Sequence, residues 1–373
     1  MRDSRHQSNP TAERSGLFHA QRRKGAANTA GARGALFGAV FLLASLFTAG
    51  SALAQSPSEG ASPAASLAPL PSAAPSFPLT VTDDEGTSIS LAAEPKKIVS
   101  LSPSNTEIVF SIGGGDRLVG GTDADDYPAE AAALPDVVVQ TKVQDEQIVA
   151  LDPDLILANG GGLTPQADID QLRQLGYPVM VLSATSLDGV ERDIALIGEA
   201  IGGYDAATTT VATMQSQVQD IESAVADVST IPRTFYEIGY GPDIYAPPAD
   251  SVYAQMITLA KGAPVTGDAS YTIPLEQLIQ ADPQVILLGD AAYGTCPSDV
   301  ASRQGWQDIT AVKDGAVRPA NDTVITRPGP RMPLGLASLV RGIHPEITLP
   351  EFPPEPALCA SQGSPAPSGS ATP

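Results

Sequence analysis

Histidine is almost missing from this chain: there are three in 373 residues, and two of them, His6 and His19, lie within the first 20. Only His344 is left for the remainder, so a His-based metal centre, a His-relayed nucleophile and bis-histidine haem ligation all lack their residues. Cysteine is nearly as scarce. Cys296 and Cys359 are the only two, enough for one disulfide that would pin the C-terminal segment to the second half in an oxidising compartment. Aromatic residues make up 5%, with Trp306 the single tryptophan. Basic residues are half as numerous as acidic ones, 21 against 42, for a net charge of −21. Such a field repels polyanions, which argues against nucleic acid as a partner. No Walker motif occurs, and no Gly-x-Gly-x-x-Gly stands between a strand and a helix. The Gly-rich "IGGGD" at 112–116 sits where a helix should end, the expected place for glycine.

What is present begins with a leader. Seven of the basic residues and two of the acidic ones fall in residues 1–34, an apolar run follows over 35–49, and Ala52-Leu53-Ala54 gives a small-x-small site. Basic, apolar and cleavage regions in this order form a secretory signal peptide over 1–54, cut before Gln55. The chain is therefore expected to be exported to a periplasm or cell surface, or to stay tethered if the apolar run, about the length of a bilayer span, is not cut. Without the leader, 14 basic residues face 40 acidic ones.

Residues 55–78 are a Ser/Ala/Pro-rich linker and 350–373 a similar tail. Between them, 42% apolar content overall and ample length allow real hydrophobic cores. "LTVTDDEGTSISLA" reads as a hairpin around Asp84-Glu85-Gly86. Beyond it, short apolar runs alternate with helical stretches, which implies parallel strands with crossover helices. The fold class expected is α/β, with two Rossmann-like lobes at 79–185 and 231–349 joined by a long helix over 186–230. An internal repeat supports the two lobes: "EQIVALDPDLIL" at 146–157 recurs as "EQLIQADPQVIL" at 276–287, each copy a short helix, an Asp-Pro stop and a buried strand.

In an open parallel sheet, ligands bind beyond the carboxyl ends of the strands. That rule selects "IVSLSPSNTEIV" (98–109), where Ser104 and Glu107 form a Ser-x-x-Glu capping box and Ser102, Asn105 and backbone amides face the cleft. It also selects the acidic loop Asp123-Ala124-Asp125-Asp126-Tyr127, read as solvated because the glycine and distal glutamate of a calcium loop are missing. Gly160-Gly161-Gly162, Tyr240, Tyr245 and Tyr271 are the remaining candidates.

These segments, together with "FYEIGYGPDIY" (235–245) and "RPGPRMPLGLASLVRGIHPE" (327–346), arrive in one order and resemble the cobalamin and ferric-siderophore substrate-binding proteins of ABC importers across nearly all of 79–346. The resemblance implies a non-enzymatic, monomeric receptor with no cofactor of its own, which clamps a cobalt or iron chelate between its lobes and passes it to the transmembrane subunits of an importer. It implies a docking role for Glu146 and Glu276, one on each lobe. It places Ala124, Gln140 and Ser270 where cobalamin-binding members carry aromatics, with Tyr127 and Tyr271 nearby. It offers Arg327 or Arg331 for an anionic group of the ligand or as anchors of the last helix, and puts Trp306 in the core of a helical segment. The ligand-binding set is then Ser102, Asn105, Asp125, Tyr127, Gln140, Tyr240, Tyr245, Tyr271 and Arg327. Two other classes compete: a tetrapyrrole-processing enzyme on the same scaffold, which needs titratable groups in the cleft, and a surface adhesion or scaffold protein, which needs no cleft.

Overall fold

A computed structural model describes residues 76–354, 358 and 359. The leader, its cleavage site, most of the linker and most of the tail lie outside the described residues. The chain opens with the hairpin: β1 (Leu79–Thr82) pairs antiparallel with β2 (Ser88–Leu91). Its Asp83 carboxylate accepts from the amides of Glu85 and Thr87, which closes the turn.

The first sheet follows through β3 (Ile98–Ser100), α1 (Pro103–Ser111), β4 (Leu118–Thr122), β5 (Asp136–Val139), β6 (Lys142–Val143), α2 (Asp145–Leu151), β7 (Leu155–Asn159), α3 (Gln166–Gln174) and β8 (Val179–Leu182). Its strand order is β6-β5-β4-β3-β7-β8, parallel apart from the antiparallel edge strand β6. The apolar runs of β7 and β8 are unbroken because those strands are buried on both faces: all four residues of β8 and the first four of β7 are buried.

Two helices then connect the lobes, α4 (Leu187–Ala200) and α5 (Tyr204–Ala224). The single helix expected over 186–230 is thus broken, and Gly202 with Gly203 is the cause. Gly202 has φ +71°, and the Gly203 amide bonds back to the Gly198 carbonyl at 2.8 Å, the termination that glycine favours. On α5 the buried Ala207, Val211, Met214 and Ile221 recur at helical spacing. Thr208, Thr209 and Thr213 on its outer face donate to carbonyls four residues back.

The second sheet is built from β9 (Arg233–Glu237), the small pair β10 (Gly239–Tyr240) and β11 (Ile244–Tyr245), α6 (Val252–Leu259), β12 (Ala263–Val265), α7 (Leu275–Ala281), β13 (Val285–Leu288), α8 (Pro297–Ser302), α9 (Thr310–Lys313), β14 (Val317–Pro319), α10 (Asp322–Ile325) and α11 (Met332–Ile343). The order is β12-β9-β13-β14, all parallel. In both sheets the first strand is central and the chain winds to either side of it, the doubly wound arrangement.

The internal repeat is structural. In each lobe a basic residue at the start of the first strand reaches the carbonyls that end the short repeat helix: Lys97 Nζ to Leu151 and Asp152, and Arg233 Nε to Ala281 and Asp282. Each helix stops on a left-handed Asp before Pro, Asp152 at φ 51° and Asp282 at φ 45°. Two residues later, Asp154 accepts from the amides of Lys96 and Lys97, and Gln284 accepts from the amide of Arg233. One apolar cluster runs from Ile98 and Val109 through Ile197 and Met214 to Leu287 and Leu339, so both sheets share a core with α4, α5 and α11. Two further clusters cover the outer faces, one around Ile148 and Ile156, the other around Phe235 and Trp306. Trp306 is fully buried, but in the turn between α8 and α9 rather than in a helix.

Candidate ligand cleft

The strand ends of the first lobe are organised by hydroxyls. Thr106 Oγ1 donates within 3.0 Å of Asp125 Oδ2 and lies 2.9 Å from Ser100 Oγ, which in turn donates to the Ser102 carbonyl at 2.8 Å. Asp125 also accepts from the Thr122 amide at 2.8 Å and from the Thr122 hydroxyl at 3.0 Å. Burial pushes its carboxyl above the ordinary range despite these bonds. Asp125, read from the sequence as a ligand group, is therefore a pin between α1 and the loop after β4. The rest of that loop is solvated, as expected: Asp123 and Asp126 are exposed, Asp123 accepting from the Gln140 amide and Asp126 pairing with Arg327.

The capping box is also corrected. Helix α1 starts at Pro103 with Ser102 as its N-cap, and no side chain caps it. Ser104 lies inside the first turn, and Glu107 points elsewhere. The Glu107 carboxylate, 2% exposed, receives Arg331 Nε at 2.8 Å, Arg331 Nη2 at 2.5 Å and Arg327 Nη1 at 3.3 Å. Arg327 also donates to Asp126 and to the Ala124 carbonyl, and Arg331 lies 4.1 Å from the centre of the Tyr127 ring. Both arginines come from the segment before α11, so this network ties the two lobes together. Arg327 is thus committed to Glu107 and Asp126 rather than held ready for a ligand. Ser102 Oγ and Asn105 Nδ2, by contrast, are buried without any hydrogen-bond partner at the amino end of α1, where β3 and β7 mark the point at which strand order reverses.

In the second lobe the equivalent point, between β9 and β13, carries charge that the sequence reading missed. Glu237, fully buried, is held by Arg303 at 2.5 and 2.8 Å. The same guanidinium lies 3.8 Å from the centre of the Tyr240 ring and 4.7 Å from that of Trp306. Asp290 has a buried oxygen without a partner, and Asp322 accepts from the Tyr236 hydroxyl at 2.5 Å. Burial raises the carboxyls of Glu237, Asp290 and Asp322 alike. Only pairs distant in sequence generate this cluster, so no local motif announces it. His344 is buried at the end of α11, its Nε2 3.2 Å from the Lys261 carbonyl, remote from these loops in sequence. Among the described residues no group of three His, Cys, Asp or Glu side chains is placed to hold a metal ion.

The exposed apolar side chains show where a large ligand would lie. Tyr127, Val139 and Leu163 follow the carboxyl ends of β4, β5 and β7, and Tyr240, Tyr271 and Tyr293 follow those of β9, β12 and β13. Together they are six of the ten large hydrophobic residues exposed to solvent among the described residues. Tyr271 is held at φ 60° while its carbonyl accepts from Ala246, and Tyr245 is half-buried in β11. Gln140, also left-handed at φ 49°, is exposed in the turn between β5 and β6. Cys296 and Cys359 are bonded, tying the segment around 359 to the loop after β13. A groove of about 830 Å³ runs along α1, α5 and the start of α11. It shares Glu107, Tyr127 and Arg331 with the network that ties the lobes, and most of the rest of its lining comes from α1, α5 and the loop at the amino end of β4.

A family model described as periplasmic binding protein matches residues 98–322. The chain belongs to that family. This periplasmic binding protein is 33% identical over 276 residues to an uncharacterized ABC transporter substrate-binding lipoprotein of Bacillus subtilis, covering 72% of this chain and 87% of the relative. It is 32% identical over 303 residues to a cobalamin-binding protein of Halobacterium salinarum, covering 76% and 80%. The crystal structure of a vitamin B12 binding protein of Vibrio cholerae superposes with a TM-score of 0.59 at 25% identity, covering 67% of this chain and 96% of that one. The protein is a substrate-binding component of an ABC importer with the two-lobed fold of these neighbours. This removes the support for a surface scaffold and for a tetrapyrrole-processing enzyme. Among the described residues no helix is long and apolar enough to cross a membrane.

Proposed function

We propose that this protein is an exported, non-catalytic receptor that holds one large metal chelate, with cobalamin the first candidate and haem or a ferric siderophore the alternatives, between its two lobes. The observation that carries this reading is the set of exposed rings and aliphatic side chains on the strand-end loops of both lobes. A macrocycle offers broad apolar faces and a polar rim, and aromatic walls with few polar groups suit it. Ser102 and Asn105, buried and unpartnered, would meet polar groups of the rim. The cobalamin names of two relatives favour that ligand. Glu146 and Glu276, both exposed as the second residues of α2 and α7, would dock the two lobes on the importer.

Titration of the exported protein with cyanocobalamin, haemin and a ferric hydroxamate, followed by tyrosine fluorescence, tests this reading. Saturation by one of them at one molecule per chain is expected. Failure of all three to bind would overturn it. A Glu146→Lys, Glu276→Lys double variant should bind as the parent does and fail in uptake.

A further inference from the structure

Among the described residues, four large apolar ones are exposed away from the strand-end loops: Val149, Leu175, Ile231 and Ile279. Two of them are one position seen twice. Val149 lies in α2 and Ile279 in α7, separated by the 130-residue offset that relates the two copies of the repeat. The two helices have equal length and the same sequence of burial, with one fully buried residue each, Ile148 and Leu278. In a helix, positions three and four apart share a face. Glu146 with Val149 therefore forms one outward patch, opposite Ile148, and Glu276 with Ile279 forms its counterpart opposite Leu278.

At position 149 an aliphatic side chain keeps 43% of its surface in water and at 279 36%, area that folding of either lobe leaves uncovered, and both lobes carry it beside an exposed carboxylate. Both patches are also held firmly, since Lys97 and Arg233 fix the ends of the two helices through their terminal carbonyls. Resting on the reading of this chain as an importer's receptor, we propose that Val149 and Ile279 are the apolar anchors of the docking surface, each buried by one of two equivalent transmembrane subunits. The partner site is an apolar socket flanked by a cation that meets Glu146 or Glu276. Two like patches on one chain fit a partner with two-fold symmetry, and small apolar anchors ringed by polar groups are how such contacts concentrate their energy.

The test places a photo-crosslinking benzophenone residue at position 149, 279, 175 or 231 of the full chain, in the cell that encodes it and in place of the native copy. Adducts are identified by mass spectrometry. Positions 149 and 279 should both give an adduct with the same kind of membrane-spanning subunit, positions 175 and 231 should not, and Glu146→Lys with Glu276→Lys should lower the yield at least ~10-fold. Adducts with that subunit from 175 or 231 and none from 149 and 279 would overturn the assignment while leaving the importer reading intact. An adduct from only one of the pair would overturn the two-fold equivalence. No membrane-protein adduct from any position, alongside unchanged uptake in the Glu146→Lys, Glu276→Lys variant, would remove the importer docking reading and this surface with it.

Discussion

The two lobes share a sheet plan and a repeat but treat charge at their strand ends differently. In the first lobe, one carboxylate of the acidic loop after β4 is turned inward, Asp125, satisfied by Thr106 and Thr122, while the exposed Asp126 pairs with an arginine from the other lobe. In the second, Arg303 is committed to Glu237 while Asp290 and Asp322 stay buried with raised carboxyls. The inward carboxylate of the first lobe is thus bonded through both of its oxygens, whereas the second lobe keeps several buried carboxyls near its strand ends, one of them, Asp290, with an oxygen that has no partner.

The largest expected effect breaks the tie between the lobes. Glu107→Ala strands the guanidinium of Arg331 and part of that of Arg327 and should cost about 3–5 kcal/mol in urea unfolding; a loss below ~1 kcal/mol would mean the network is dispensable. Reduction of Cys296–Cys359, which affects only the second lobe, should cost about 2–4 kcal/mol, because the bond closes a loop with a sequence separation of 63.

The third prediction concerns protons. Asp193 on α4 is pushed up from 3.8 to about 8, chiefly by burial and then by Asp84. The folded chain keeps this proton up to about pH 8, whereas the unfolded chain releases it near 3.8. The contribution is therefore complete at acid pH and declines as pH rises toward 8. Asp193→Asn should flatten the fall in melting temperature between about pH 4 and 8; an unchanged slope would place the proton elsewhere, the buried carboxyls of the second lobe being the next candidates. The smallest effect separates a true cap from an apparent one. Ser186 caps α4 by accepting from the Gly189 amide at 3.0 Å, so Ser186→Ala should cost about 1 kcal/mol. Ser104→Ala, at a buried position whose side chain caps nothing, should cost less than Ser186→Ala.

That last contrast shows where sequence reasoning runs out. The strands, the hairpin and the repeat are legible because each is local: buried apolar runs, Asp-Gly turn chemistry, and Asp-Pro stops recurring beside the same Glu-Gln pair. The break at Gly202-Gly203 is legible in the same way, as two adjacent breakers in an otherwise helical stretch. Glu107 was not legible. Its spacing from Ser104 satisfies the capping pattern, but its partners stand more than 200 residues away, and no local window records a long-range ion pair. The same holds for Glu237 with Arg303. Asp125 misled for a different reason, since an acidic stretch looks solvated until two neighbouring threonines turn one carboxylate inward.

The central claim is that one chelate touches both lobes at once. Its most direct test is calorimetric titration of the parent, Tyr127→Ala, Tyr271→Ala and the double variant with cyanocobalamin, Tyr127 standing on the first lobe and Tyr271 on the second. The account predicts one molecule bound per chain and a weakening of ~10-fold from each substitution, with the double variant weaker than either. Loss confined to variants of one lobe, or binding unaffected by both, would contradict it.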